Sequence, residues 1–123
     1  MNQRGIRGAI TVLADTDKEI SSSVCELLNE MISQNAVLTK DISHVIFSMT
    51  QDLKSMYPAK AARENIKGFN TVPMFCVGEQ NIQNSLKMCL RVLMVVNTDK
   101  DQEEIKHIYL RDARKLREDL ANG

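Results

Sequence analysis

Met88-Cys89-Leu90-Arg91-Val92-Leu93-Met94-Val95-Val96 is the most apolar stretch of this 123-residue chain. Its β-branched and large apolar residues read as a largely buried strand, and such a strand requires a sheet around it. Arg91 interrupts the run. A guanidinium stays charged at any accessible pH, and burying one without a partner costs several kcal/mol. An anion is therefore expected to meet Arg91, either a carboxylate of the protein or a ligand. Along the strand, Cys89, Leu93 and Val95 share its face, which gives Arg91 no polar neighbour there.

The rest of the sheet follows from the flanking sequence. Gly5-Ile6-Arg7-Gly8-Ala9-Ile10-Thr11-Val12 alternates, with Ile6, Ile10 and Val12 on one face and Arg7, Ala9 and Thr11 on the other. Gly5 and Gly8 mark a close backbone approach or a bulge. Ile42–Met49 reads as a second strand, Thr71–Val77 as a third, and Ile105–Leu110 as a fifth after the Arg91 strand. Pro73 suits an edge or a strand start, because it donates no ladder hydrogen bond.

Two helices separate the first three strands. Thr16-Asp17-Lys18-Glu19 is a capping box, and Ile20, Val24, Leu27, Leu28, Met31 and Ile32 follow at amphipathic spacing to about Gln34. Serines 21 to 23 are expected on or near its solvent side. Tyr57-Pro58-Ala59-Lys60-Ala61-Ala62-Arg63-Glu64 opens a shorter helix, with Pro58 at its first position and Gly68 just past its end. Asn81–Lys87 is polar and reads as a loop or a helical turn. The tail from Arg111 is open between a helical stripe (Leu110, Ala113, Leu116/Arg117, Leu120) and a loosely ordered segment. The order β-α-β-α-β-β-β predicts an α+β fold in one domain over residues 1–123, a mixed β-sheet with helices on one face. The other face needs cover, and subunit packing is one way to supply it.

Composition narrows the function. Lys+Arg and Asp+Glu balance at 16 each, and two Tyr and three Phe leave little for base stacking, so nothing points to nucleic acid. The apolar run at 88–96 is too short to span a bilayer, and the first residues lack the apolar core of a signal peptide. Cys25, Cys76 and Cys89 are odd in number and form no C-x-x-C, which argues against disulfides or a zinc site and for a reduced, cytoplasmic protein. The seven methionines read as core filler.

The charged residues leave alternatives open. Arg91 is either a structural partner of Glu79, which follows the Cys76 strand, or part of a pocket for a polyanionic small molecule. Arginine suits the second role because its planar fork matches a carboxylate bidentately. Pattern alone treats Arg7 as an edge-strand charge facing water, and Lys60 and Arg63 as a solvated helix face. His44 and His107 read as ordinary strand residues. Cys76 and Cys89 read as small core fillers, since no histidine lies nearby in sequence to activate either.

Five segments together resemble one family. Arg4–Val12, Tyr57–Arg63, Val72–Cys76, Cys89–Val92 and His107–Leu110 are similar, in order and spacing, to the monofunctional trimeric α/β chorismate mutases. The resemblance runs from Arg4 to about Leu120. It implies a homotrimer whose sheets form a pseudo α/β-barrel, with active sites between adjacent subunits. It implies the Claisen rearrangement of chorismate to prephenate in phenylalanine and tyrosine biosynthesis, with no cofactor and no metal.

Carried over by position, the resemblance implies Arg91 as donor to the ether oxygen of the breaking bond, and Glu79 as partner of the ring hydroxyl. Arg7 becomes a carboxylate ligand, Tyr109 a further contact on that side, and Cys76 a group on the pocket floor, with Phe75 and Cys89 at neighbouring pocket positions. Tyr57, Ala59, Lys60 and Arg63 form the second subunit's wall, and Leu116 and Arg117 close over the site. The chain departs from the family pattern at Phe75, where a smaller, hydroxyl-bearing residue is expected, and at Tyr57, which replaces a Phe. Two other readings are a trimeric imine deaminase-like hydrolase and a non-catalytic trimeric metabolite-binding module.

Overall fold

A computed structural model of the chain describes residues 1–116. Its elements are β1 (Asn2–Thr11), α1 (Asp17–Gln34), β2 (Ile42–Met49), α2 (Pro58–Asn65), β3 (Met74–Gly78), β4 (Cys89–Thr98) and β5 (Ile108–Leu110), with single 3-10 turns at Thr39–Asp41, Gln102–Glu104 and Arg111–Ala113. The strands form one mixed sheet in the order β3-β2-β4-β1-β5. β4 runs antiparallel to both β1 and β2, while β3 and β5 add in parallel at the two edges.

Local chemistry explains the boundaries. The Thr16 hydroxyl accepts from the Glu19 backbone N–H at 3.1 Å and starts α1. Pro58 occupies the first turn of α2, where a missing N–H costs nothing. Gly68 then turns the chain with φ +88, a conformation that a side chain would strain. Pro73 immediately precedes β3, which is an edge strand, in agreement with both positions open to a proline. β3 begins at Met74 and β5 at Ile108, each three residues later than the hydrophobic runs suggest. The extra residues enter the sheet as connections: Pro73 only accepts from Val45 N at 3.0 Å, and Ile105 ends a 3-10 turn.

Both helices cover one face of the sheet. Ile6 and Ile10 of β1, Val45 and Phe47 of β2, and Leu90, Val92 and Met94 of β4 meet Ile20, Val24, Leu27, Leu28 and Met31 of α1 and Ala61 and Ala62 of α2 in one buried cluster. Burial of each large side chain here contributes roughly 1.5–3 kcal/mol. Gly8 is where β1 touches α1 most closely, since a Cβ there would collide with the Met31 sulfur and crowd Leu27. Ser23 departs from the solvent side expected for it: it is fully buried, and its hydroxyl accepts from the Arg111 guanidinium at 3.1 Å. Among the described residues, no helix is long and apolar enough to cross a membrane.

Candidate active site

The face of the sheet away from the helices carries the charged residues. Register sets two rows across it. One row runs Val77, Ser48, Arg91, Ala9, Tyr109 through all five strands; the next runs Phe75, Ile46, Leu93, Arg7 through four. The run around Arg91 is therefore buried on one side only. Leu90, Val92, Met94 and Val96 point into the core, while the Arg91 side chain keeps 43% of its accessible surface and Leu93 37%. Arg7 lies on β1, inside the sheet between β4 and β5 rather than on an edge, and it is exposed on this same face. It is a diagonal neighbour of Arg91 across the β1–β4 ladder, on the order of 7–8 Å away at Cα by strand geometry.

Arg91 does have a polar neighbour, and it comes from across the sheet. Ser48 stands opposite it on β2, and the Ser48 hydroxyl donates to Glu79 Oε2 at 2.7 Å. That same oxygen lies 3.4 Å from Arg91 Nε. The pair is close enough to attract, but the Nε–H is not directed at the carboxylate. Arg91 Nε is buried and makes no hydrogen bond with any described residue. A buried donor without an acceptor costs about 1–3 kcal/mol. Glu79 thus neutralises Arg91 without satisfying it.

Beside this pair, on the same face, is a second, small apolar cluster. Ala9, Cys89 and Ala113 are buried together, with Leu86, Tyr109 and Leu116 packed against them. The small side chain of Ala9 separates Arg91 from Tyr109 in their shared row. Burial pushes the Cys89 thiol up from its usual range; the Arg91 guanidinium opposes that shift, and Glu79 adds to it. Cys89 is accordingly a neutral thiol at physiological pH. The start of the tail is tied down nearby. The Arg111 guanidinium donates to Thr11 O at 2.9 Å and Ser23 Oγ at 3.1 Å, pairs with Glu26 at 3.3 Å, and Asp112 N donates to Thr11 Oγ1 at 3.2 Å. Leu116 therefore lands on the cluster beside Arg91. Arg117 lies outside the described residues.

The remaining residues singled out in the sequence gather elsewhere. Cys76 pairs with Phe47 and so points to the helix side of the sheet, against the main core. It shares a cavity of about 300 Å³ with Tyr57, Pro58, Met49 and Leu53. Tyr57 is 72% exposed. On α2, Ala59 packs against the core, Lys60 forms an exposed pair with Glu64 at 3.9 Å, and Arg63 is exposed. Within one chain these residues fall into two groups: Arg7, Glu79, Arg91 and Tyr109 on the open face, and Tyr57, Lys60, Arg63 and Cys76 on α2, its N-cap and the helix-facing side of β3. Phe75 belongs to neither; it projects from the edge of the open face, 69% exposed.

Sequence reasoning missed Ser48, Thr50 and Asp52. Ser48 gives no signal by itself, since only the β2–β4 register brings it to Arg91. Thr50 and Asp52 line a cavity of about 670 Å³ with Glu79 and the loop from Gln80 to Lys87. Among the described residues, no three His, Cys, Asp or Glu side chains are grouped to hold a metal ion.

Comparison with known proteins gives one result. The family model for chorismate mutase type I matches residues 3–120. Over 118 residues the chain is 42% identical to chorismate mutase AroH of Bacillus subtilis (strain 168), covering 96% of this chain and 92% of that protein. Over 121 residues it is 43% identical to chorismate mutase AroH of Thermus thermophilus, covering 98% of each. A solved chorismate mutase from Clostridium thermocellum matches with a TM-score of 0.86 at 42% identity, covering 90% of this chain and 97% of that one.

Proposed function

The chain belongs to the type I chorismate mutase family, and on that premise we propose how its residues rearrange chorismate to prephenate on the way to phenylalanine and tyrosine. The enzyme is an isomerase acting within one molecule. Its reaction is a pericyclic Claisen rearrangement: the C–O ether bond breaks as a C–C bond forms. No nucleophile attacks and no proton moves. Two physical effects remain for the protein to supply, conformational restriction and electrostatic stabilisation.

Arg91 supplies the second. As the ether bond lengthens, negative charge grows on its oxygen, and a guanidinium held there favours the transition state over the ground state. The observation that carries this reading is Arg91 Nε, a buried donor beside Glu79 that makes no hydrogen bond with any described residue. The substrate's ether oxygen is the acceptor it lacks. Glu79, already oriented by Ser48, takes the ring hydroxyl of the substrate. Arg7 holds a carboxylate, and Tyr109 adds a contact on that side. Those charges are present before and during reaction, so Arg7 acts on binding more uniformly than Arg91 does.

The second group comes from a neighbouring subunit. A homotrimer packs its open sheet faces together as a pseudo-barrel, with α1 and α2 outside, and sets Tyr57, Ala59, Lys60 and Arg63 of one subunit as a wall across from Arg91 of the next, with Phe75 and Cys76 at pocket positions. The contiguous row of exposed Phe75, half-buried Ile46 and exposed Leu93 supports this, because an apolar face of that kind on a lone chain invites association. Leu116 closes over the cleft. The single domain spans the whole chain, and the cytoplasm is its compartment, in keeping with three unpaired cysteines. The test is direct: chorismate added to the purified protein loses its absorbance at a rate proportional to enzyme. Binding of chorismate without turnover would contradict the reading.

A further inference from the structure

Arg91 is three residues from an unusual backbone position. Met88 has φ +52, a left-handed conformation that strains a non-glycine residue. Neighbours hold it from both sides. Its carbonyl accepts from Val12 N at 2.7 Å. Its N–H is met by both carboxylate oxygens of Asp52, at 3.2 and 3.0 Å. Asp52 also takes the Thr50 hydroxyl proton at 2.6 Å. With that hydroxyl so oriented, Thr50 Oγ1 accepts from Cys89 N at 2.9 Å, and Thr50 N donates to Cys89 O at 3.0 Å.

Asp52 therefore clasps the first residues of β4 to the end of β2. The loop between Glu79 and Met88 is fastened at two points: by Ser48 at the Glu79 end and by Asp52 at the Met88 end. Cys89 is fully buried and cannot shift without moving the Arg91 row. We propose that Asp52 is a positioning residue for the rearrangement: by holding Met88 in its left-handed conformation it fixes the guanidinium of Arg91 against Glu79. This rests on the role given to Arg91 above. Asp52 touches no reacting atom, so its removal acts on the alignment of the transition-state contact. A misplacement of about 1 Å from a residue away from the chemistry costs up to about 100-fold in rate.

The experiment compares steady-state chorismate turnover of the wild type, Asp52→Ala, Asp52→Asn, Met88→Gly and the double variant Asp52→Ala/Met88→Gly, with Arg91→Ala as reference. Asp52→Ala lowers kcat about 10-fold or more while KM moves by less than about threefold. Glycine adopts positive φ freely, so Met88→Gly in the Asp52→Ala background restores most of the lost kcat. A simple loss of stability would be deepened by that second change, because Met88 packs against the core. Asp52→Asn keeps one acceptor oxygen and falls between wild type and Asp52→Ala. If Asp52→Ala does not fold, Asp52→Asn carries the test alone, with a several-fold loss of kcat expected. Wild-type kcat in the folded Asp52 variants, or a loss that Met88→Gly leaves untouched, would overturn the proposal. An inactive Arg91→Ala beside a fully active Asp52→Ala defeats this proposal only; a fully active Arg91→Ala defeats the role of Arg91 itself.

Discussion

Glu79 stands 3.4 Å from Arg91, yet it takes its hydrogen bond from Ser48. Charge and hydrogen bonding are therefore divided between two partners. The ion pair keeps the guanidinium neutralised, while the serine fixes which way the carboxylate points. A carboxylate so oriented keeps lone pairs for a further donor without releasing Arg91.

The first prediction concerns that division. Accepting a hydrogen bond is the main task given to Glu79, so Glu79→Gln, which keeps an acceptor oxygen, loses less kcat than Glu79→Ala. Steady-state rates on chorismate measure the difference. Equal losses in the two variants would show that the charge, rather than the acceptor, is what matters.

Ser48→Ala removes the orienting hydroxyl and leaves both charges. A hydrogen bond to a charged group is worth about 1.5–3 kcal/mol when fully lost, but here water can replace the donor to a carboxylate that is partly exposed. The expected loss in kcat is about 3- to 10-fold, with thermal stability little changed. An unchanged kcat would mean that Glu79 is held by other contacts.

These residues also mark the limit of what the chain's sequence reveals. Thr16, Pro58 and Gly68 announce the helix boundaries because capping and φ constraints are local. Arg91 stands out because a charge in an apolar run is a local contradiction. Ser48 stands out nowhere: a serine in an alternating strand looks solvent-facing until the β2–β4 register sets it against Arg91. Ser23 misleads for a similar reason, since its partner Arg111 is 88 residues away in sequence. Which face Cys76 takes, and that β5 joins β1 rather than β4, depend on long-range pairing that no local pattern encodes. That Arg7, Tyr57 and Tyr109 line one cleft is what the family resemblance implies; within a single chain Tyr57 lies apart from the other two.

Cys89 gives a pH prediction. Burial raises its folded-state pKa above the ordinary value of 9.0. In the window above pH 9.0 the unfolded chain has already lost the thiol proton while the folded one keeps it. The folded state then binds more protons, so stability is fully present below that window and falls as pH rises through it. Cys89→Ala removes this contribution. Urea unfolding at pH 8 and pH 10 gives a smaller alkaline loss for the variant than for the wild type, with the slope from half-buried Cys25 remaining in both. Equal alkaline losses would contradict the shift.

Assembly has its own test. Leu93 lies mid-face between Ile46 and Arg7 on the uncovered side of the sheet. Leu93→Glu places like charges together where three copies would meet. Light scattering on the wild type is expected to give about three times the 13.9 kDa chain mass, and on the variant a single chain with little turnover, since the cleft is then unmade. A wild type that runs as a single chain at full activity would contradict the shared cleft.

The role proposed for Arg91 is to act on charge that develops only in the transition state. The direct measurement is kcat and KM for chorismate with Arg91→Ala and Arg91→Lys, each first shown to be folded and assembled as the wild type is. Arg91→Ala is expected to lower kcat by roughly 10²-fold or more, and Arg91→Lys to fail to restore it because an ammonium cannot reproduce the planar fork. A folded Arg91→Ala with near-wild-type kcat and only a raised KM would contradict it, and would reduce Arg91 to a binding residue.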